Sequence, residues 1–254
     1  MIPRVAALGA RAPRNPTVAW DRFWHDVRST GTGGDVLWDL DSEEEFDVYR
    51  TLLDAHFDRS LPVIDIGCGN GRFTRRLASM FPLAVGVDIA STAIDRARAE
   101  SSGRPGLDFW TLDASDRSAG WELHRRYGDA NVFFRGVLHV LDDTAREAAA
   151  ATAREAAGRQ GRVLLAETDF RGSGLEYLEH LGATPRSIPM PLQRAIGGLP
   201  RPGHFGAVER ALAFPAASWE LILDGPAQIM TVPMRDHTHP ETIPGYIAVL
   251  APRD

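Results

Sequence analysis

Nine residues constrain this chain more than any others: Val63-Ile64-Asp65-Ile66-Gly67-Cys68-Gly69-Asn70-Gly71. A short apolar run passes directly into three alternating glycines, and a helical pattern follows. Neither a strand nor a helix continues comfortably through such a run, so it reads as a sharp turn joining the two. A strand–glycine turn–helix unit is where open α/β folds bind nucleotide-like ligands. There the backbone comes close to the ligand, and the next helix offers unpaired N–H groups.

The surrounding pattern fits such a fold. Strands are expected at 62–66, 83–87, 107–112, 131–134 and 162–167. Helices are expected at 71–81, 91–100 and 118–127, and from Asp142 or Asp143 to Gly158 or Gly161. This alternation predicts a parallel sheet covered by helices on both faces. After Asp169 the pattern changes. Residues 173–213 hold short helical pieces punctuated by five prolines. Strand-like runs follow at 219–223, 228–234 and 246–250, with connections too short for parallel crossovers, so an antiparallel hairpin should close the sheet. Upstream, residues 1–16 read as a loose lead segment. Trp20, Phe23, Trp24 and Val27 make one face of a short helix, which Gly31, Gly33 and Gly34 interrupt. Ser42 with Glu45 reads as a capping box opening a helix that carries Phe46, Tyr49, Leu53 and Phe57 on one side. The expected organisation is a lead segment and helical cap over 1–42, then a ligand-binding domain over 43–254 with a substrate-cap insertion at about 173–213.

Composition removes several chemistries. Of 254 residues, 28 are basic, and all of these are arginine. Without lysine there is no Schiff base, no P-loop lysine and no kinase β3 lysine. The net charge of −6, with no basic stripe, argues against a nucleic-acid partner. A lone cysteine, Cys68, forms no internal disulfide and fits a reducing compartment. No apolar run reaches the ~18 residues of a membrane span, and the N-terminus lacks a signal-peptide pattern. A cytoplasmic protein is expected; the oligomeric state is left open.

Three details narrow the ligand. The glycines are spaced GxGxG, and the place where a dinucleotide fingerprint wants its third glycine is held by Arg72. Asp65 sits two residues before the first glycine, which suits a cationic ligand and opposes a pyrophosphate. Asp88 ends the second strand, where an acid accepts hydrogen bonds from ribose hydroxyls. Asp113 ends the third strand, within reach of an adenine amino group. Together these features resemble the class I S-adenosylmethionine-dependent methyltransferases. VIDIGCGNG is similar to their motif I, Val85–Ile89 to the acidic strand-2 motif, Leu112–Ala114 to the adenine motif, and Arg135–Leu141 to the segment after strand 4. The resemblance implies a Rossmann-like α/β sheet of seven strands in the order 3-2-1-4-5-7-6, with strand 7 antiparallel. It implies S-adenosyl-L-methionine as cofactor and S-adenosyl-L-homocysteine as product. By position, Gly67, Gly69 and Gly71 would line the methionine part, with Asp65 close by and Cys68 as a small filler in the loop. Asp88 would hold the ribose, Ile89 would pack on the adenine, and Asp113 with Ala114 would meet its edge. Arg135 stays open between a cofactor contact and a surface position.

The methyl sulfonium is already electrophilic, so the chain has mainly to position an acceptor and, for a protic one, to supply a base. His139, just after strand 4, is the first candidate base. Glu167 and Asp169 at the end of strand 5 are alternatives. Metal is not expected: His237 and His239, near Asp236 and Glu241, fall in an exposed hairpin turn. Lysine-dependent metal and ribose-methylating sets are impossible, and the Asn/Asp-Pro-Pro-aromatic signature of nucleic-acid amino-methyltransferases is missing after strand 4. By subtraction the acceptor is a small molecule with an O, N, S or C nucleophile, of the secondary-metabolite kind that an aromatic-rich lid suits. Trp20, Trp24, Asp169, Tyr177 and His204 are the candidate substrate contacts, and the Trp20–Trp24 helix is expected to close over the cofactor about a Gly31–Gly34 hinge. The competing readings are a fold relative that binds the cofactor without methyl transfer, a protein or RNA methyltransferase, and an NAD-dependent dehydrogenase.

Overall fold

Five apolar runs of four to six residues form the parallel strands: β1 (Val63–Ile66), β2 (Ala84–Asp88), β3 (Leu107–Thr111), β4 (Asn131–Arg135) and β5 (Val163–Thr168). In this computed structural model, residues 2–10, 12–235 and 238–253 are described. Two long strands, β6 (Trp219–Met230) and β7 (Thr242–Pro252), complete the sheet. Its order is β3-β2-β1-β4-β5-β7-β6, with β7 antiparallel to both neighbours, so the expected topology is found. Ten α-helices accompany the strands among the described residues: α1 (Ile2–Gly9), α2 (Pro16–Asp26), α3 (Glu43–His56), α4 (Arg72–Leu77), α5 (Ser91–Glu100), α6 (Ala119–Tyr127), α7 (Asp143–Ala157), α8 (Gly174–His180), α9 (Met190–Gly198) and α10 (Ala207–Ala213). A 3-10 turn, Leu138–Val140, follows β4. Among the described residues, no helix is long and apolar enough to cross a membrane.

Strand alternation divides the core between the two faces of the sheet. Phe133 and Leu164 join Tyr49, Leu53 and Leu77 on one face. Phe134, Leu165, Ile64 and Ile66 join Leu123 and the alanine stripe of α7 on the other. Alanines at that stripe let α7 lie close to the sheet, and Asp142 caps its first turn by accepting from the Ala145 N–H at 2.9 Å.

Four expectations need correction. Residues 1–16 are not a loose lead, because Ile2–Gly9 is helical and its Val5 and Leu8 pack on the first core. Helix α4 ends at Leu77 rather than 81, since the chain must turn at Met80 and Phe81 to enter β2. The three strand-like runs near the C-terminus are two strands. β6 passes unbroken through Gly225 and Pro226, which the sheet edge tolerates because Pro226 needs no ladder donor there. Finally, Ser42 caps α3 through the Glu45 N–H at 3.2 Å, but the Glu45 side chain does not turn back to complete the box.

Glu45 instead lies in the core, where it meets Arg135 at the end of β4. Arg135 Nη2 reaches both Glu45 oxygens, at 2.8 and 3.0 Å, and Nε reaches Oε1 at 2.9 Å. The other donors go to the Trp38 and Met230 carbonyls, at 2.9 and 3.1 Å. Tyr49 Oη donates to Glu45 at 2.6 Å, and the guanidinium lies over the Phe73 ring. Burial works against the Arg135 charge, but the fields of Glu45 and Tyr49 outweigh it and raise the pKa further. With all three guanidinium nitrogens engaged here and the side chain only 5% exposed, Arg135 is a frame residue, not a cofactor contact. Removing one partner of such a pair strands a buried charge, at a cost of about 3–5 kcal/mol. Glu45→Ala should lower the unfolding free energy in urea by that amount, and the Glu45→Leu/Arg135→Met double variant should be more stable than the single one. A loss under about 1 kcal/mol for Glu45→Ala would show the pair to be dispensable.

Candidate active site

β1 delivers the glycine loop to the carboxyl edge of the sheet, and the loop is locked from beneath. The Gly67 and Cys68 N–H groups both donate to the Val87 carbonyl, at 2.8 and 3.0 Å. Asp65 faces inward and accepts from Thr74 Oγ1 of α4 at 2.5 Å. Burial, reinforced by the charge of Asp88, pushes its pKa up to about 7 against the Thr74 hydrogen bond. Asp65 therefore stitches β1 to α4 rather than facing a ligand. Cys68 packs with Ile94, Ala97 and Phe109, and burial raises its thiol pKa, as suits an inert filler.

The three glycines have different duties. A Cβ on Gly71 would meet the Phe109 ring at 2.7 Å and Ala97 at 3.1 Å, and the residue is left-handed at φ 74°. Gly71 thus serves the packing of α4 against β3 and α5. A Cβ on Gly69 would meet the Trp24 ring of α2 at 2.7 Å, and one on Gly67 would meet Val137 at 2.3 Å. These two glycines form a cradle between the cap helix and the segment after β4.

Asp88 stands at the rim of this cradle, almost fully buried. Its Oδ2 accepts from the Gly69 N–H and its Oδ1 from the Ala90 N–H, both at 2.9 Å. Burial raises its pKa to about 6 although the backbone N–H groups of Ala90, Gly69 and Ile89 oppose the shift. A carboxylate offers about four lone-pair sites, so each oxygen keeps one for a hydroxyl of a vicinal diol. Ile89, half-buried, follows it. Asp113 is exposed and closes a local turn, accepting from the Ser115 N–H and hydroxyl at 2.8 and 2.6 Å. The Ala114 carbonyl accepts from Thr152 of α7 at 2.9 Å.

Two residues expected as alternative bases form one unit. Glu167, fully buried at the end of β5, accepts from the Val137, Leu138 and His139 N–H groups at 3.0, 2.9 and 3.2 Å. Its Oε2 also meets His139 Nδ1 at 2.9 Å. When the ring is neutral, its Nδ1–H donates to Glu167 Oε2 and Nε2 is left as an acceptor. The His139 side chain keeps 11% of its surface accessible. Val137 touches Gly67, so the imidazole sits two residues from the cradle.

The other candidates are spread out. Trp24 roofs Gly69, while Trp20 packs edge-on against Trp38 and Phe23. Asp169 pairs with Arg171 at 2.9 Å, Arg171 reaches Glu209 at 3.3 Å, and Glu209 meets His204 Nε2 at 3.1 Å, so Asp169 and His204 belong to one rim network. Tyr177 packs on Phe170 and is mostly buried, which raises its pKa to about 12. Asp236 and His237 lie outside the described residues, and Glu241 caps its turn by accepting from the Met234 and Arg235 N–H groups. The sequence reading missed Glu45, Val137, Asp39 and Asn70. Only Asn70 carried a signal, as a polar side chain between two glycines.

Comparison with known proteins agrees with this geometry. A family model described as a methyltransferase domain matches residues 63–161. A crystal structure of an S-adenosylmethionine-dependent methyltransferase from Anabaena variabilis superposes with a TM-score of 0.82 at 26% identity, covering 96% of this chain and 97% of the other. Residues 63–161 thus match a methyltransferase domain, within a chain that shares the fold of an S-adenosylmethionine-dependent methyltransferase. The trans-aconitate 2-methyltransferase of Deinococcus radiodurans is 29% identical over 94 residues, which span 35% of this chain and only 36% of that protein. The fold is also shared with a magnesium protoporphyrin IX methyltransferase from Synechocystis solved with S-adenosylhomocysteine bound, at a TM-score of 0.52 and 16% identity over 100% of this chain and 94% of the other.

The residues of the methyltransferase domain fit its cofactor: a glycine cradle, and beside it a buried carboxylate with one open acceptor site on each oxygen. Asp88→Ala should weaken S-adenosylhomocysteine binding about 100-fold in calorimetry, the loss of two charge-assisted hydrogen bonds. An unchanged dissociation constant would remove the ribose role. Only the ionised carboxylate accepts from both hydroxyls. Affinity should therefore fall as pH drops below about 6, the raised Asp88 value, and Asp88→Asn should flatten that part of the pH profile.

Proposed function

We propose that this chain methylates a small molecule whose acceptor atom carries a proton at neutral pH, with His139 as the general base. The observation behind this reading is the Glu167–His139 pair beside the cradle. The bound cofactor supplies an electrophilic methyl group on a sulfonium. The chain supplies orientation and a proton acceptor. Glu167 is held by three backbone N–H groups, so it cannot swing, and it fixes both the tautomer and the plane of the imidazole. His139 Nε2 takes the acceptor's proton as the acceptor attacks, and the imidazolium that forms is stabilised by the Glu167 carboxylate. Glu167 is thus the positioning partner of the base, not a rival to it.

A base is superfluous for an acceptor already ionised at pH 7. The reading therefore favours phenols, enols and similar protic groups over a carboxylate such as the aconitate named for the Deinococcus relative. The aromatic groups of the cap helix, Trp20 and Phe23, and the rim formed by α8 to α10 with Tyr177, Asp169 and His204 are proposed to enclose that acceptor. A cytoplasmic setting and no nucleic-acid partner accompany this proposal.

The test is turnover against a panel of phenols, enols, thiols and carboxylic acids, read as S-adenosylhomocysteine released. On the best protic acceptor, His139→Ala should lower kcat about 10²- to 10⁴-fold, the usual contribution of a positioned base. Glu167→Gln should fall in the same range, and cofactor affinity should stay within about threefold in His139→Ala. Wild-type turnover in His139→Ala, or activity confined to carboxylic acids, would sink the proposal. Cofactor binding with no turnover on any acceptor would favour a non-methylating relative.

A further inference from the structure

Asn70 is the one polar side chain inside the glycine loop, and it is 97% buried (3% exposed). Its amide nitrogen carries two protons, and each meets an acid from a different part of the chain. Nδ2 lies 3.0 Å from Asp39 Oδ2 and 3.1 Å from Glu100 Oε2. Both acids also hold the segment that follows the cap helix. Asp39 accepts from the Gly31 N–H at 2.7 Å and from Arg72. Glu100 accepts from Thr30 Oγ1 at 2.9 Å and from Arg75 at 3.2 Å, while Arg75 Nη1 donates to the Asn70 carbonyl at 2.6 Å.

The consequence is mechanical. Thr30 and Gly31 lie only a few residues after Trp24, whose ring roofs Gly69. A second anchor holds the middle of the same helix, where Asp21 accepts from the Ser91 hydroxyl and the Thr92 N–H at 2.9 and 3.0 Å. The Asp21 anchor touches α5 alone. The Asn70 anchor touches the loop itself.

We infer that Asn70 is a positioning residue that registers the N-terminal cap on the glycine loop, coupling the place of Trp24 over Gly69 to cofactor binding. The inference rests on the proposed cofactor reading of the loop. The amide is suited to the task because it donates to two carboxylates at once, which no acid or hydroxyl does in that place. Arg72, which stands where a dinucleotide fold needs glycine, belongs to the same junction: its guanidinium balances the charge that Asp39 buries there.

Asn70→Asp keeps the shape and sets a third carboxylate about 3 Å from the other two, reversing the attraction. Asp39→Asn in the same chain restores an amide facing a carboxylate with the roles exchanged. The wild type and both variants would be compared by amide hydrogen exchange and by calorimetry with S-adenosylhomocysteine. In Asn70→Asp, exchange over residues 16–39 should rise about tenfold and S-adenosylhomocysteine affinity should fall about tenfold, within the range of couplings between touching side chains. Exchange over 143–157 should not move, which separates a loosened cap from a damaged fold. The double variant removes the Asp39 half of this repulsion and leaves Glu100 facing the new acid, so both readouts should move about halfway back to wild type on a logarithmic scale. Unchanged exchange over 16–39 in Asn70→Asp would overturn the inference, as would a rise that Asp39→Asn does not lessen. So would exchange that moves back with affinity never altered. If the wild type binds no S-adenosylhomocysteine, the cofactor reading fails first, and the exchange results alone decide whether Asn70 registers the cap.

Discussion

The buried pair of Glu45 and Arg135 is the interaction on which the arrangement of this molecule turns. A guanidinium in the core is costly to desolvate, and it survives only where all its donors are met in good geometry. Here they are met by a helix before the sheet, a carbonyl of the segment before that helix and a carbonyl of the edge strand. The pair draws three separate parts of the chain to the end of β4. One of them, Trp38, then stacks on Phe23 with ring centroids 5.4 Å apart, and Phe23 shares a helix with Trp24. A line of contacts therefore runs from the strand end through the cap to the glycine loop. The opposite face of the same strand end is left for the turn that carries His139.

Six acids are buried among the described residues, and their compensation differs; Glu241 takes two backbone amides in its turn. Glu45 and Asp39 meet arginine forks. Asp65 takes a hydroxyl, Asp88 two backbone amides, and Glu167 three amides and an imidazole. In a chain without lysine every long cationic side chain is a planar fork that stays charged. Arginines sit where a fixed bidentate grip is needed. At the cradle and at the base, where chemistry is expected, the compensating groups are neutral amides. Asp88 and Glu167 are therefore not neutralised by a permanent cation that would compete for them.

Much of this was legible in the sequence, for physical reasons. The strand–helix alternation sets two periodicities that a parallel covered sheet satisfies, and the order of all seven strands is the one that the resemblance to the methyltransferases implied. Within the candidate site, His139, Glu167, Gly69 and Asp88 were singled out because chemistry restricts which residue types stand at strand ends. What escaped was pairing at long range. Glu45 read as a local cap because Ser42 stands three residues before it, whereas its partner is 90 positions away. Arg135 lay in a ligand-like motif and proved structural for the same reason. Gly71 fitted the motif but owes its place to Phe109, a close approach no linear pattern encodes. The N-terminal helix was missed because three prolines and no acid in residues 1–16 hid an apolar face that only α9 and the core complete. The β6 reading broke at Gly225 and Pro226, since local propensity does not say which strand will be at an edge.

That edge has a consequence for how copies of this protein meet one another. A 12-residue strand with one free side is an invitation to pair with another chain. β6 withdraws it locally. A register shift between Leu221 and Leu223 breaks the straight run of backbone groups, and Pro226 removes a donor in the middle. Glu220 and Asp224, both exposed, set like charges along the rim that a second β6 would bring face to face. The residues that made the strand hard to recognise are those that keep its edge from acting as a template for aggregation.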